Sequence, residues 1–330
     1  MKAKTIDKHL YAKMKSWLAS ITDVKLRKAV QNSIIVTGGS IVSLFHQEPV
    51  NDYDVYIEDK KVALLLTLYY IRIMNDTETA TNTASLLIKY SDVRNDSSLI
   101  HVDTDGSLTK WDYDNERSRV QHIEDILKKD FDHVEIYVVS EGVVASSEEN
   151  FPQGEDMGFD QPIENQSDEI NTYVPVFMSA NAITLSDKLQ IVLRFNGPPD
   201  EIHKYFDFVH ATNYWTFNGG LVTNTKALEA ILAKELIYSG SKFPLASIFR
   251  TRKFIKREWT CHVGNYLKMA FQLNELDLFD PEVLREQLTG VDAAYLNSVI
   301  QAVTDKWSEQ PDFKFDSMYL CEIVDKMMSS

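Results

Sequence analysis

Gly38-Gly39-Ser40 and Asp52-Tyr53-Asp54 are the residues whose types and spacing fit one piece of chemistry. Glycines let backbone amides approach a phosphate, a helix opening near Ser40 offers further N–H groups, and Ser40 adds a hydroxyl donor. Side chains two apart on a strand share a face, so Asp52 and Asp54 are expected to project together with Tyr53 turned the other way. Paired carboxylates of this kind bind hard cations through oxygen, which points to Mg²⁺ or Mn²⁺. The reaction that needs both features is nucleotidyl transfer. An acceptor hydroxyl attacks the α-phosphate of a nucleoside triphosphate and pyrophosphate leaves, while two cations neutralise the triphosphate and lower the hydroxyl's pKa.

The elements around these residues must bring the turn to the carboxylates. Ile6 to Ser20 and Asp23 to Asn32 carry apolar residues at helical spacing. Ser33 to Thr37 reads as a short β-branched strand, Ile41 to Phe45 as a helix capped by Ser40, and Asp52 to Ile57 as a second strand. The eleven residues between Ser40 and Asp52 suffice for a short helix and a return onto an adjacent strand. A helix is expected from Lys60 to about Asn75, strands at Ser98 to Val102 and His133 to Ser140, and a helix over Arg117 to Lys129. Ala182 to Phe195 and Phe206 to Tyr214 each read as a core strand, with Asn196-Gly197-Pro198-Pro199 as the loop between them. Gly219-Gly220 reads as a hairpin turn. From about Asn224 the periodicity is helical: Lys226 to Tyr238, Leu245 to Trp259, His262 to Leu273, Pro281 to Leu288, Ala293 to Trp307 and Met318 to Met328.

Gly39-Ser40, the spacing, and Asp52-x-Asp54 followed by Val55 and Ile57 resemble the signature of the polymerase-β-type nucleotidyltransferase superfamily. The resemblance covers about Ser33 to Ile57 and Gln190 to Tyr214. Phe206 to Trp215 and Ser247 to Trp259 are similar to phrases in nucleotidyltransferase-like proteins of large phages and viruses. It implies an α/β (α+β) fold, a polymerase-β-like nucleotidyltransferase sheet with flanking helices, and a third acid on a later strand. Asp207, between Phe206 and Phe208, is the preferred match, and Glu135, between Val134 and Ile136, is the alternative. On that reading Asp52 and Asp54 bind both metals, while Asp207 binds the catalytic metal and helps deprotonate the acceptor.

Several cations are candidates for the phosphates. Arg194 closes the strand before the proline loop and offers a planar fork of donors, with a structural ion pair as the other reading. Arg250, Lys253 and Arg257 fall on one helical stripe in the densest basic cluster of the chain. That stripe suits a triphosphate or an RNA backbone; the other reading is a solvated face pairing with acidic residues. Tyr214, Trp215 and Phe217 suit base stacking or ordinary packing.

Over 330 residues, 44% hydrophobic and 25% charged composition indicates a folded globular chain with room for two domains. These are expected at 1–223, a nucleotidyltransferase domain with an acidic insertion around 141–172, and at 224–330, an all-helical domain, with the nucleotide held in the cleft between them. The net charge of −15 argues against nucleic acid on average, but thirteen acids and no Lys or Arg occupy Asp130 to Asp187. The acidity is therefore local. Two distant cysteines, Cys261 and Cys321, indicate neither a disulfide framework nor a zinc site and fit a reducing cytoplasm, the host's if the protein is phage-encoded. The apolar run Val62 to Met74 falls short of the ~20 residues a membrane span needs and contains Arg72. The expected function is thus metal-dependent nucleotidyl transfer onto an RNA 3′ end, tRNA among them; transfer to a protein or small molecule, or a degenerate binding or assembly module, are the alternatives.

Overall fold

The computed structural model describes residues 1–76, the strands and one short helix between 83 and 139, residues 173–278, and a few positions up to 287. The chain runs α1 (Ala3–Ser20), α2 (Val24–Ser33), β1 (Ile34–Thr37), α3 (Gly39–His46), β2 (Tyr53–Ile57) and α4 (Lys60–Asp76). Then come β3 (Thr83–Lys89), β4 (Ser97–Val102), β5 (Leu108–Trp111), β6 (Val120–Gln121), α5 (Ile123–Leu127) and β7 (Val134–Val139). After these come β8 (Pro175–Met178), β9 (Ala182–Leu185), β10 (Leu189–Val192), α6 (Pro199–His203), a 3₁₀ turn at Val209–Ala211, β11 (Tyr214–Thr216) and β12 (Gly220–Val222). The last are α7 (Thr225–Ala233), β13 (Glu235–Leu236), α8 (Pro244–Lys256), β14 (Thr260–Cys261) and α9 (Val263–Leu273).

The described residues form two compact units. The first reaches to Ile231 but omits Tyr205–Val209; the second takes Tyr205–Val209 and the chain from Leu232 onward. The first holds a mixed seven-stranded sheet in the order β12-β11-β1-β2-β10-β9-β8 and an antiparallel five-stranded sheet in the order β6-β5-β4-β3-β7. In the larger sheet β2 is central, antiparallel to β1 and parallel to β10.

α1 forms because Ile6, Leu10, Met14, Trp17 and Leu18 recur at three- and four-residue spacing and bury one stripe. That stripe joins Val36, Val55, Ile57, Ile183 and Ile191 of the sheet in a single core with α2 and α4. Polar residues of α1 are also anchored. Asp7 accepts from Trp215 Nε1 at 2.9 Å and from the Leu221 amide at 3.1 Å, tying the β11–β12 hairpin to the helix. Trp17 Nε1 donates to the Tyr70 hydroxyl of α4 at 2.7 Å. α2 is capped by Asp23, whose carboxylate accepts from the amides of Lys25 and Leu26 and so satisfies two donors that the helix cannot.

The second unit contains α8, α9 and a parallel pair, β13 with β14. Asn265 fills the space beside that pair, donating to Leu236 O at 2.8 Å and accepting from the Tyr238 amide at 3.1 Å. The C-terminal region is therefore not all-helical; two-residue strands between helices leave no periodicity to read. The acidic segment 141–172 and the helices expected at Ala293 to Trp307 and Met318 to Met328 lie outside the described residues, and Pro281 to Leu288 is described only in part.

Two other expectations are corrected. Ala182 to Phe195 is a hairpin rather than one strand, because Asp187 and Lys188 both take positive φ, 60° and 57°, and reverse the chain without glycine. Lys13 holds that turn, donating to Asp187 O at 2.6 Å and pairing with its carboxylate. Phe206 to Tyr214 is irregular and 3₁₀, and the strand begins only at Tyr214. Among the described residues no helix is long and apolar enough to cross a membrane.

Candidate functional site

The site begins where β1 ends. Gly38 has φ +89° and ψ −147°, a conformation that a side chain strongly disfavours, and its amide donates to Ala211 O at 3.2 Å. α3 starts at Gly39, so Gly38 is the N-cap and Ser40 lies inside the first turn, which corrects the expected cap. A cap residue needs non-helical backbone, and Gly38 supplies it. Ser40 Oγ is buried and, among the described residues, has no hydrogen-bond partner.

β2 and the residue before it supply the carboxylates. Asp52 is exposed just before the strand, Tyr53 is buried and Asp54 is half-buried. The Tyr53 hydroxyl lies 2.6 Å from His9 Nε2, and Lys13 Nζ sits 5.2 Å from the ring centre. Burial, and after it the charge of Asp187, raises the Tyr53 pKa and keeps the phenol neutral. Tyr53 therefore faces α1, opposite to Asp54. A Cβ placed on Gly38 would stand 3.4 Å from Asp54 Oδ2, while one on Gly39 would meet nothing within 4 Å. The glycine turn and the Asp54 carboxylate thus share one space, open above Gly39. The approach to Asp52 is held by Lys188, whose carbonyl accepts from the Tyr53 amide at 2.8 Å and whose Nζ donates to Val50 O at 3.2 Å.

Gln190 of β10 pairs in register with Asp54, and Thr184 of β9 with Gln190, so polar side chains continue that row across the sheet. Arg194 follows the far end of β10: its neighbours Asn196 and Gly197 bond to Ile57 O and Glu58 O at the end of β2. From Gln190 to Arg194 the backbone climbs about 13 Å at the usual strand rise. Glu135 lies on β7 of the five-stranded sheet, 2.6 Å from His133 Nε2.

Asp207 and Arg250, expected in two separate roles, bind each other. The Arg250 guanidinium donates to Asp207 Oδ2 at 2.7 Å, and both belong to the second unit. Asp207 is not on a strand. Its apolar neighbour Phe208 packs against Tyr238 and Phe254, which explains the pattern that resembled one. Lys253 is exposed on α8, and Arg257 is its C-cap, 5.8 Å from the Phe254 ring centre. Arg250→Ala is expected to lower the melting temperature by a few degrees, about 1–2 kcal/mol once exposure of the guanidinium is allowed for. Unchanged melting would show that the pair does not hold the unit together.

Among the described residues no three His, Cys, Asp or Glu converge as a metal-holding group. The residue that sequence reasoning missed is His203, at the end of α6, whose Nε2 lies 2.9 Å from Thr37 Oγ1. Burial lowers its pKa, Asp200 opposing, so the ring favours the neutral form. Nothing in a scatter of eight histidines marks it; only the return of α6 onto β1 does.

The chain matches the family model of Gad2, Gabija anti-defense 2 family protein, over residues 8–234. The chain belongs to this family. The Gad2 match contains the glycine turn, Asp52, Asp54, Gln190, His203 and Asp207, and stops before α8 with Arg250, Lys253 and Arg257. Membership of the polymerase-β-type nucleotidyltransferase superfamily, suggested by the motifs, is corrected by this finding. A glycine turn and two acids are too few residues to specify a lineage. Neither the curated proteins nor the solved structures contain a match to this Gad2 chain.

Proposed function

We propose that this Gad2 protein transfers a nucleoside monophosphate from a nucleoside triphosphate to an acceptor hydroxyl, with release of pyrophosphate, and that the transfer serves the anti-defense role for which the family is named. The observation that carries this reading is the 3.4 Å between a Cβ on Gly38 and Asp54 Oδ2. A turn suited to phosphate and a carboxylate suited to a cation face the same space.

An anionic phosphate beside Asp52 and Asp54 is repelled unless a divalent cation lies between them. Mg²⁺ or Mn²⁺ fits the pair, because such an ion takes one or two protein carboxylates and completes its shell with phosphate oxygens and water. When bound, it neutralises the triphosphate and acidifies the acceptor hydroxyl. The chain's own part is orientation. Gly38 and Gly39 admit the phosphates, the first amides of α3 donate to them, and Ser40 Oγ, which has no hydrogen-bond partner among the described residues, turns toward them as a further donor. Tyr53, fixed by His9, holds β2 so that Asp54 stays against the turn.

The acceptor is a hydroxyl of the host cytoplasm, an RNA 3′ end in the first instance, with a protein side chain or a small molecule as the alternatives. The test is to incubate the protein with each α-labelled triphosphate, Mg²⁺ and lysate from cells with and without Gabija. A labelled macromolecule is the expected result; no labelling with any triphosphate removes the reading.

The absence of a third ligand among the described residues favours a second reading, a module that binds without catalysis. Heat separates the two. The catalytic reading expects stabilisation by Mg²⁺ and triphosphate together, about 2.7 kcal/mol at a hundred times the Kd, whereas the second expects none. Ser40→Ala sharpens this test. A buried hydroxyl without a partner costs about 1–3 kcal/mol, so the variant should melt no lower than the parent. Stabilisation by the metal–nucleotide pair should nevertheless fall by about 1 kcal/mol. Equal stabilisation of both proteins would place Ser40 outside the phosphate site.

A further inference from the structure

We infer that His203 is a positioning residue for the glycine turn, acting through Thr37 as a hydrogen-bond donor from Nε2. The functional weight of this inference rests on reading the turn as phosphate-holding; its structural part does not.

Thr37 is fully buried at the end of β1, immediately before Gly38. Three groups surround its Oγ1: Asn213 O at 2.9 Å, Ala211 O at 3.1 Å and His203 Nε2 at 2.9 Å. A threonine hydroxyl has one hydrogen, and carbonyl oxygens only accept. Were Nε2 also an acceptor, three acceptors would compete for that hydrogen, and the lone pairs of a buried oxygen would face no donor. With the proton on Nε2, His203 donates to Thr37 and Thr37 donates to a carbonyl, so each group has a role. The contacts therefore select the Nε2–H tautomer.

The chain of bonds ends at the turn. Ala211 O, which Thr37 approaches, is also the acceptor of the Gly38 amide at 3.2 Å. Asn213, whose carbonyl is the other neighbour, takes the Asn224 amide on its side chain at 2.8 Å and so ties the group to the start of α7. His203 is placed for this by α6, opened by Pro199, and its ring lies 5.9 Å from that of Tyr214 on β11. Thr37 is the cross-strand neighbour of Tyr214, and continuing the Val36–Val55 register sets it opposite Asp54. His203 thus lies over the sheet face that carries the carboxylate.

Three measurements test this. Proton-detected nitrogen spectra of ¹⁵N-histidine-labelled wild-type protein should show His203 protonated at Nε2; protonation at Nδ1 alone overturns the inference. In ¹⁵N-glycine-labelled protein, His203→Ala should displace the Gly38 and Gly39 amide resonances, while His203→Gln, which offers an amide donor where Nε2 stood, should leave them near their wild-type positions. The metal–nucleotide Kd should rise about tenfold in His203→Ala and stay within about twofold in His203→Gln. Unmoved glycine resonances in His203→Ala, or an alanine variant equal to the glutamine variant, remove the positioning role. If the wild-type protein binds no nucleotide, the reading of the site fails on its own, and the glycine and histidine spectra still decide the part played by His203.

Discussion

The Asp52→Ala/Asp54→Ala variant is expected to lose at least about a thousandfold in nucleotidyl transfer, on the order of 4 kcal/mol of transition-state stabilisation, and to melt within a few degrees of the wild-type protein. The loss is expected to be large because the proposed cation would rest on these two acids, no group of three metal-holding side chains occurring among the described residues. A cation held by these acids would polarise the phosphate and lower the hydroxyl's pKa at once. The fold tolerates the change because β2 is held from its other side. Tyr53, Val55 and Ile57 are buried in the core, and the ladders to β1 and β10 use backbone groups. Single variants separate the two positions. Asp54, half-buried against the turn, should matter more than exposed Asp52, so Asp54→Asn is expected to approach the double variant while Asp52→Asn retains measurable transfer. Wild-type rates in the double variant would end the proposal.

How much of this could be read from the sequence depends on how local the determinant is. The β1–turn–β2 segment was legible because each element is short and declares itself: Ile34 to Thr37 is β-branched, Gly38 takes a conformation that glycine favours, and Tyr53 to Ile57 is rich in aromatic and β-branched residues. The β9–β10 hairpin was not, since Asp187 and Lys188 take positive φ with no glycine to announce it and are held by Lys13, far away in the sequence. Asp207 illustrates the limit for site residues. An acid between Phe206 and Phe208 is compatible with a strand carrying an inward carboxylate, and equally with a loop in which one aromatic is buried and the acid meets Arg250. Only the partner distinguishes the two, and the partner lies on another element. His203 was invisible for the same reason, because its role depends on where Thr37, Ala211 and Asn213 come to rest. The mixed α/β class follows from the periodicities; the lineage did not follow from the motif.

The neighbouring glycines of the turn are expected to respond in opposite ways to the same substitution, and the contrast tests the phosphate site without touching a charge. Gly38→Ala should cost about 1–3 kcal/mol of stability, because φ of +89° lies where a side chain is strained. Its 3.4 Å approach to Asp54 Oδ2 is ordinary contact, so the backbone sets the cost. Gly39 opens α3, has no positive φ, and its Cβ would meet nothing within 4 Å. Gly39→Ala should therefore leave the protein as stable or up to about 1 kcal/mol more stable, through the reduced freedom of the unfolded chain. Its methyl group, however, would project into the open space where the phosphates are proposed to lie. Displacing the reacting phosphate by about 1 Å costs on the order of a hundredfold in rate, so transfer should fall by about that factor while the melting temperature holds or rises. No structural weakness can produce that combination, since a damaged fold loses both together. If Gly39→Ala instead keeps wild-type transfer and wild-type stabilisation by Mg²⁺ and triphosphate, the space above the turn is not where the phosphates bind.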